Sequence, residues 1–242
     1  PLHIDLNSLS RVLTRYRMGD RMATDTYIRD TLKMAPDQSQ TKCCLAALAL
    51  ETGDLDAAAQ LLDEAGEQSL SAEVCYLKGR LAEARGDIVE ARSHLEQALE
   101  QRPKYVGALY AMGRVAQRSG NSTEAAKYYR NALRISPQFV DATYNLGKVL
   151  SVQGRLSEAL EAFTQAVAVD PGMIKAHTGM ASTLRDLGES EEAQACLQAA
   201  MDLSNDPLLK IRHCLTMPVI SPSESAIGDI RRKIEQELDL VL

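Results

Sequence analysis

An all-α fold, built as a tandem array of short helical pairs, is what this 242-residue sequence predicts. Three observations carry the prediction. The first is composition: Ala, Leu, Glu and Arg dominate, aromatic residues make up only 4% and Trp is absent, a mixture that favours helix over sheet. The second is a fixed interval of 34 residues at which small residues recur. Gly79, Gly113 and Gly147 keep it, as do Gly86, Gly120, Gly154 and Gly188, then Ala91, Ala125, Ala159 and Ala193, then Ala98, Ala132, Ala166 and Ala200. The third is punctuation at the same interval, in Pro103, Pro137 and Pro171.

Each column has a physical task. Glycine at the eighth place of the unit and alanine at the twentieth and twenty-seventh let two helices approach closely, because larger side chains would hold the backbones apart. Glycine at the fifteenth place allows the left-handed backbone that ends many helices, and the Asp, Asn or Glu after it helps start the next. Proline at the thirty-second place blocks continuation of the second helix. A 34-residue period with these residue types resembles the tetratricopeptide repeat, a helix-turn-helix unit, over about residues 5–207. The resemblance implies a right-handed α-solenoid of about six repeats and twelve helices, with capping helices after it.

In this register the repeats run 5–38, 39–71, 72–105, 106–139, 140–173 and 174–207. The first is the most degenerate: Gly19 and Pro36 hold their columns, while Val12, Thr24 and Thr31 replace the small residues. The second is one residue short and lacks the proline, and the sixth has Ala181 in place of its first glycine. Such wear is expected at the ends of an array, where a unit faces solvent on one side. Residues 208–242 form the capping or joint region. LLKIRHCLT reads as a short helix stopped by Pro218, and Ser221, Pro222 and Glu224 make a capping-box start. Ile227, Ile230, Ile234 and Leu238 then form an apolar stripe, with Arg231, Arg232, Lys233, Glu235 and Glu237 largely on the wetter side.

Several function classes are excluded by absence of their signatures. The chain carries 27 basic and 33 acidic residues, a formal charge of -6, which argues against the general attraction to phosphate that nucleic-acid binding needs. No phosphate loop, dinucleotide fingerprint, metalloprotease helix or nucleophile elbow is present. His3, His94, His177 and His213 are scattered over different units, and Cys43, Cys44, Cys75, Cys196 and Cys214 include no Cys-x-x-Cys pair. No metal, no cofactor and no catalysis by this chain alone are therefore expected, and the cysteines are expected to be buried free thiols. The sequence Asn121-Ser122-Thr123 matches a glycosylation acceptor but falls in a turn. With no basic segment followed by an apolar run, neither a signal peptide nor membrane insertion is expected, which fits a soluble, cytoplasmic and reducing setting.

The expected function is a scaffold that holds other molecules. In tetratricopeptide proteins the first helix of each unit lines the concave side, with its second, fifth, sixth, ninth, twelfth and thirteenth places pointing inward. Carried over by register, the fifth place holds Tyr76, Tyr110 and Tyr144, and the ninth holds Arg80, Arg114 and Lys148. Arg118, Arg185 and Lys175 come from the thirteenth, twelfth and second places, and Asn145 from the sixth. Over six repeats these places carry seven basic residues against five acidic, inside an acidic chain. Tyrosine offers a rigid apolar face with a hydroxyl and arginine a planar fork for carboxylates, so the expected partner is a protein or extended peptide with acidic groups. Reversing Arg114 and Lys148 to Glu is expected to abolish its binding without lowering thermal stability.

Two narrower family functions find little support. Of the carboxylate clamp of chaperone-binding relatives, only Asn145 and Lys175 have counterparts here. The asparagine ladder of O-linked N-acetylglucosamine transferases falls on Ser10, Cys44, Leu77, Ala111, Asn145 and Gly179, a single rung. IRHCLTMPVISPSESAIGDIRRKIEQEL nevertheless resembles the joint between repeats and catalytic domain in bacterial SPINDLY-type proteins. That resemblance implies the substrate-recognition region of a larger glycosyltransferase. A third alternative is self-assembly into a homo-oligomer through the Ile227–Leu238 stripe.

Overall fold

The computed structural model of the chain describes residues 39–68, 70–204 and 209. These residues form ten α-helices and no strand: α1 (Ser39–Thr52), α2 (Leu55–Gln68), α3 (Ala72–Arg85), α4 (Ile88–Gln101), α5 (Val106–Arg118), α6 (Ser122–Ile135), α7 (Val140–Val152), α8 (Leu156–Val169), α9 (Ile174–Leu187) and α10 (Ser190–Asp202). The first expected repeat lies outside the described residues. So do the capping box, the Ile227–Leu238 stripe and the transferase-like joint.

The chain divides into two compact units, residues 1–119 and 120–242. In the first, α1 pairs with α2 and α3 with α4, α2 packs on α3 and α4 on α5, and α1, α3 and α5 touch in succession along one face. In the second, α7 pairs with α8 and α9 with α10, α6 packs on α7 and α8 on α9, and α7 touches α9. Odd-numbered helices are thus first helices of their repeats and share a face within each unit. Cys43, Ala46, Ala47, Leu62, Val74, Leu77 and Leu81 form a buried apolar cluster in the first unit. Tyr129, Val149, Phe163 and Leu197 are among the buried apolar side chains of the second.

The sequence columns account for these contacts. All eight alanines of the two expected columns are completely inaccessible to solvent, as are Ala58 and Ala65 at the same places of the second repeat. Gly79 faces Leu95 of α4, where an added Cβ would lie 2.7 Å from Leu95 Cγ; at Gly147 it would lie 2.8 Å from Phe163 Cε1. Neither position has room for a side chain, since heavy atoms do not approach that closely. The fifteenth-place glycines have open space instead. Gly53, Gly86, Gly120, Gly154 and Gly188 all adopt positive φ, from +73° to +89°, and nothing stands within 4 Å of a would-be Cβ. Backbone conformation alone selects glycine there.

Helix starts follow the expectation in part. Asp54, Asp87 and Asn121 each accept a hydrogen bond from the backbone N–H three residues on, at 3.0, 2.9 and 3.1 Å. Glu189 makes no such bond at the start of α10, and Arg155 holds the equivalent place before α8. Glutamate is the poorer cap because its longer side chain overshoots the N–H groups that Asp and Asn reach. Arg155 instead grips Glu158 of the first turn with two parallel bonds of 2.7 and 2.6 Å. Asn121 donates from its amide nitrogen to Glu124 Oε2 at 3.1 Å, so both ends of its side chain are used in the turn. Helices α4, α6 and α8 stop two residues before Pro103, Pro137 and Pro171. Among the described residues no helix is long and apolar enough to cross a membrane.

Candidate functional site on the first helices

The tyrosine and basic columns turn out to be a single device. Residues four apart on a helix stack one above the other. Arg80 accordingly lies over the Tyr76 ring at 5.9 Å, Arg114 over Tyr110 at 6.0 Å and Lys148 over Tyr144 at 5.7 Å. Each cation is drawn to the electron-rich ring face and loses freedom of its long stem. The rings are themselves anchored. Tyr76 stands 5.0 Å from Tyr105 and presses on Gly107, where a Cβ would come within 3.2 Å of its Cζ. Tyr144 packs on Phe163 at 5.8 Å, and burial raises its phenol above the ordinary range.

In the first unit each arginine also finds a carboxylate on the preceding first helix. Arg80 Nη2 donates to Glu51 Oε1 at 3.0 Å, with both side chains largely covered. Arg114 Nη2 stands 2.8 Å from Oε1 of Glu83, a residue only 2% exposed. That contact is an ion pair and not an aligned hydrogen bond, because Glu83 Oε1 has no donor pointed at it. Arg118 joins at 3.7 Å from the same oxygen while donating to the Glu83 backbone carbonyl at 2.9 Å. Glu73 is held in turn by Arg102 at 2.7 Å. Arg80, Arg114 and Arg118, expected to await an acidic ligand, are therefore already committed within the chain. The proposed reversal of Arg114 would place a second carboxylate against buried Glu83, so it tests stability before binding.

The second unit differs. Lys148 and Lys175, on α7 and α9, are exposed and have no carboxylate at ion-pair distance among the described residues. Arg185 donates to Ser182 Oγ at 3.3 Å and stands 3.5 Å from its neighbour Asp186, with both charged side chains about half exposed. Asn145 is partly buried on α7.

Charge is sorted by helix class. First helices α1, α3, α5, α7 and α9 carry nine basic and five acidic residues, whereas second helices α2, α4, α6, α8 and α10 carry four basic and thirteen acidic. A polyanion is repelled by one class and attracted by the other.

A family model described as tetratricopeptide repeat matches residues 45–106, 76–138 and 110–174, more than half of the chain, and a second such model matches 153–210. The chain belongs to the tetratricopeptide repeat family. Solved structures agree in fold. YrrB, described as a tetratricopeptide protein with an unusual peptide-binding site, superposes with a TM-score of 0.58 at 23% identity, covering 75% of this chain and 94% of its own. TTC0263, a thermophilic tetratricopeptide protein of Thermus thermophilus, gives 0.58 at 19% identity over 74% of this chain and 98% of its own. The Cut9–Hcn1 assembly gives 0.76 at 16% identity, covering 87% of this chain, which spans 42% of that one. A search of curated proteins found no match.

Features of this tetratricopeptide chain that its sequence did not announce include the glutamate partners and an apolar column at the thirtieth place. Ile135 and Val169, the last residues of α6 and α8, and Leu203, the residue just after α10, are 41%, 42% and 46% exposed. The corresponding residue of α4 is Gln101, whose amide donates to the Leu70 carbonyl. Among the described residues no group of three or more His, Cys, Asp or Glu side chains stands together as a metal site would require. The Cys43 and Cys44 thiols are pushed up to about 12 and about 11, chiefly by burial, which leaves them protonated and poor nucleophiles.

Proposed function

We propose that this chain is a docking module that holds a protein or extended peptide on the first helices of its second unit, with acidic groups of the partner taken up on α7 and α9. The observation that supports the reading most is the contrast between the units. Lys148 and Lys175 carry charges that no carboxylate of the chain neutralises among the described residues, while Arg80, Arg114 and Arg118 are matched by Glu51 and Glu83. A carboxylate arriving at the second unit gains an unshared cation, whereas at the first it would compete with a glutamate already in place. The likeness to YrrB is consistent with this use of the fold. Chemistry on the bound partner is left to other molecules.

The test compares Lys148→Glu with Lys175→Glu, made together, against Lys127→Glu, which reverses an exposed lysine on second helix α6. Partners captured with the intact protein are purified and titrated against each variant. The first-helix pair is expected to weaken binding at least tenfold at unchanged thermal midpoint, and the α6 variant less than twofold. Equal affinity for all three proteins would remove the first-helix face from consideration.

A further inference from the structure

Beyond its free lysine, α7 presents an apolar side chain to water. Tyr144, Lys148 and Val152 follow one another at four-residue steps and form one row on the helix. Val152, the last residue of α7, is 77% exposed, more than any other large apolar side chain on the described first helices. Among the described residues of the first unit no equivalent step exists. There the row on α3 ends in Ala84 and the row on α5 in Arg118, which is tied to Glu83. Among the described first helices, α7 therefore sets an unneutralised cation and an open apolar surface one helical turn apart.

That distance has a counterpart in an extended chain. Four helical residues rise about 6 Å, and two extended residues span about 6.7 Å with side chains on the same side. We propose that α7 reads an acidic residue followed or preceded, two positions away, by an apolar one, in an extended segment of another protein. The carboxylate pairs with Lys148, whose ammonium is already steadied over Tyr144, and the apolar side chain covers Val152. The intervening residue points away and is free to vary. This inference rests on the docking function above and adds to it the pattern that is recognised.

The test uses three synthetic peptides, acetyl-Ser-Asp-Thr-Leu-Ser-amide and its two variants with Asn for Asp or Ala for Leu, titrated into the isotope-labelled full chain and followed by backbone amide shifts. The first is expected to shift the amides around Lys148 and Val152, and each variant to bind about fivefold or more weakly. Both side chains being exposed, Lys148→Gln and Val152→Ser leave the fold intact, as thermal midpoints will show. Lys148→Gln should then no longer distinguish Asp from Asn, and Val152→Ser no longer distinguish Leu from Ala. If Asp-containing peptides bind equally with Leu or Ala, the apolar half of the pattern is wrong while docking of acidic groups stands. If no peptide moves the α7 amides, this inference fails, and docking is then judged by the captured partner alone. A concentration-dependent mass abolished by Val152→Ser would assign the row to a second copy of the chain and overturn the proposal.

Discussion

Phe163 of α8 lies between two glycines, Gly147 on α7 and Gly179 on α9, with Tyr144 beside it and only 2% of its surface exposed. A Cβ would meet its ring at 2.8 Å from Gly147 and 2.7 Å from Gly179, so one aromatic side chain fills what two first helices vacate. Gly147→Ala should therefore overpack the site and lose about 1–3 kcal/mol, read as a lower thermal midpoint. Phe163→Leu in that background should recover part of it, and an unchanged midpoint for Gly147→Ala would deny the close approach. Glu83 sets a second residue-scale rule: Arg114→Met leaves its buried carboxylate with Arg118 alone at 3.7 Å. A loss of about 1–3 kcal/mol in urea unfolding is expected, below the range for a fully buried pair because Arg114 itself is partly exposed. The thiols give a pH signature. Cys43 and Cys44 titrate near 9.0 when unfolded but are held up to about 12 and about 11 in the fold, so the unfolded chain loses those protons first. Their contribution is complete below pH 9 and is lost as pH rises towards 11 and 12. The urea midpoint should fall between pH 9 and pH 11, and the Cys43→Ala, Cys44→Ala double variant should show a shallower fall. The half-buried phenols of Tyr105 and Tyr144 act in the same direction at higher pH.

At the scale of the element, the inter-helix turn is a glycine of positive φ followed by a capping side chain. Gly86→Ala strains φ +89° without touching anything else, so it should lose about 1–2 kcal/mol, while Gly86→Asn should lose less because Asn tolerates that conformation. Equal losses by chemical denaturation would mean that the missing side chain and not the backbone sets this position. Such turns were legible in the sequence because their causes are local: a glycine, a cap and a proline each act within a few residues. The inaccessible alanine columns were legible because repetition multiplies a weak signal. The ion pairs were not, since Glu51 and Arg80 are 29 residues apart and nothing local in either helix marks the other. Gly179 illustrates the same limit. Read in its own column it was a missing asparagine, and only the ring of Phe163, from the preceding repeat, explains it.

At the scale of the whole molecule, the sorting of charge between helix classes leads to the prediction that partner association is electrostatic in part. Raising the ionic strength should slow partner association by on the order of tenfold, with less change in dissociation. An apolar partner would show neither effect. The central claim is that the first helices, and not the second, carry the docking surface. Amide hydrogen exchange of the full chain, with and without its captured partner, addresses it most directly. Slowed exchange concentrated on odd-numbered helices, strongest on α7 and α9, is the predicted result. Slowing on α2, α4, α6, α8 or α10, with α7 and α9 unchanged, would contradict it.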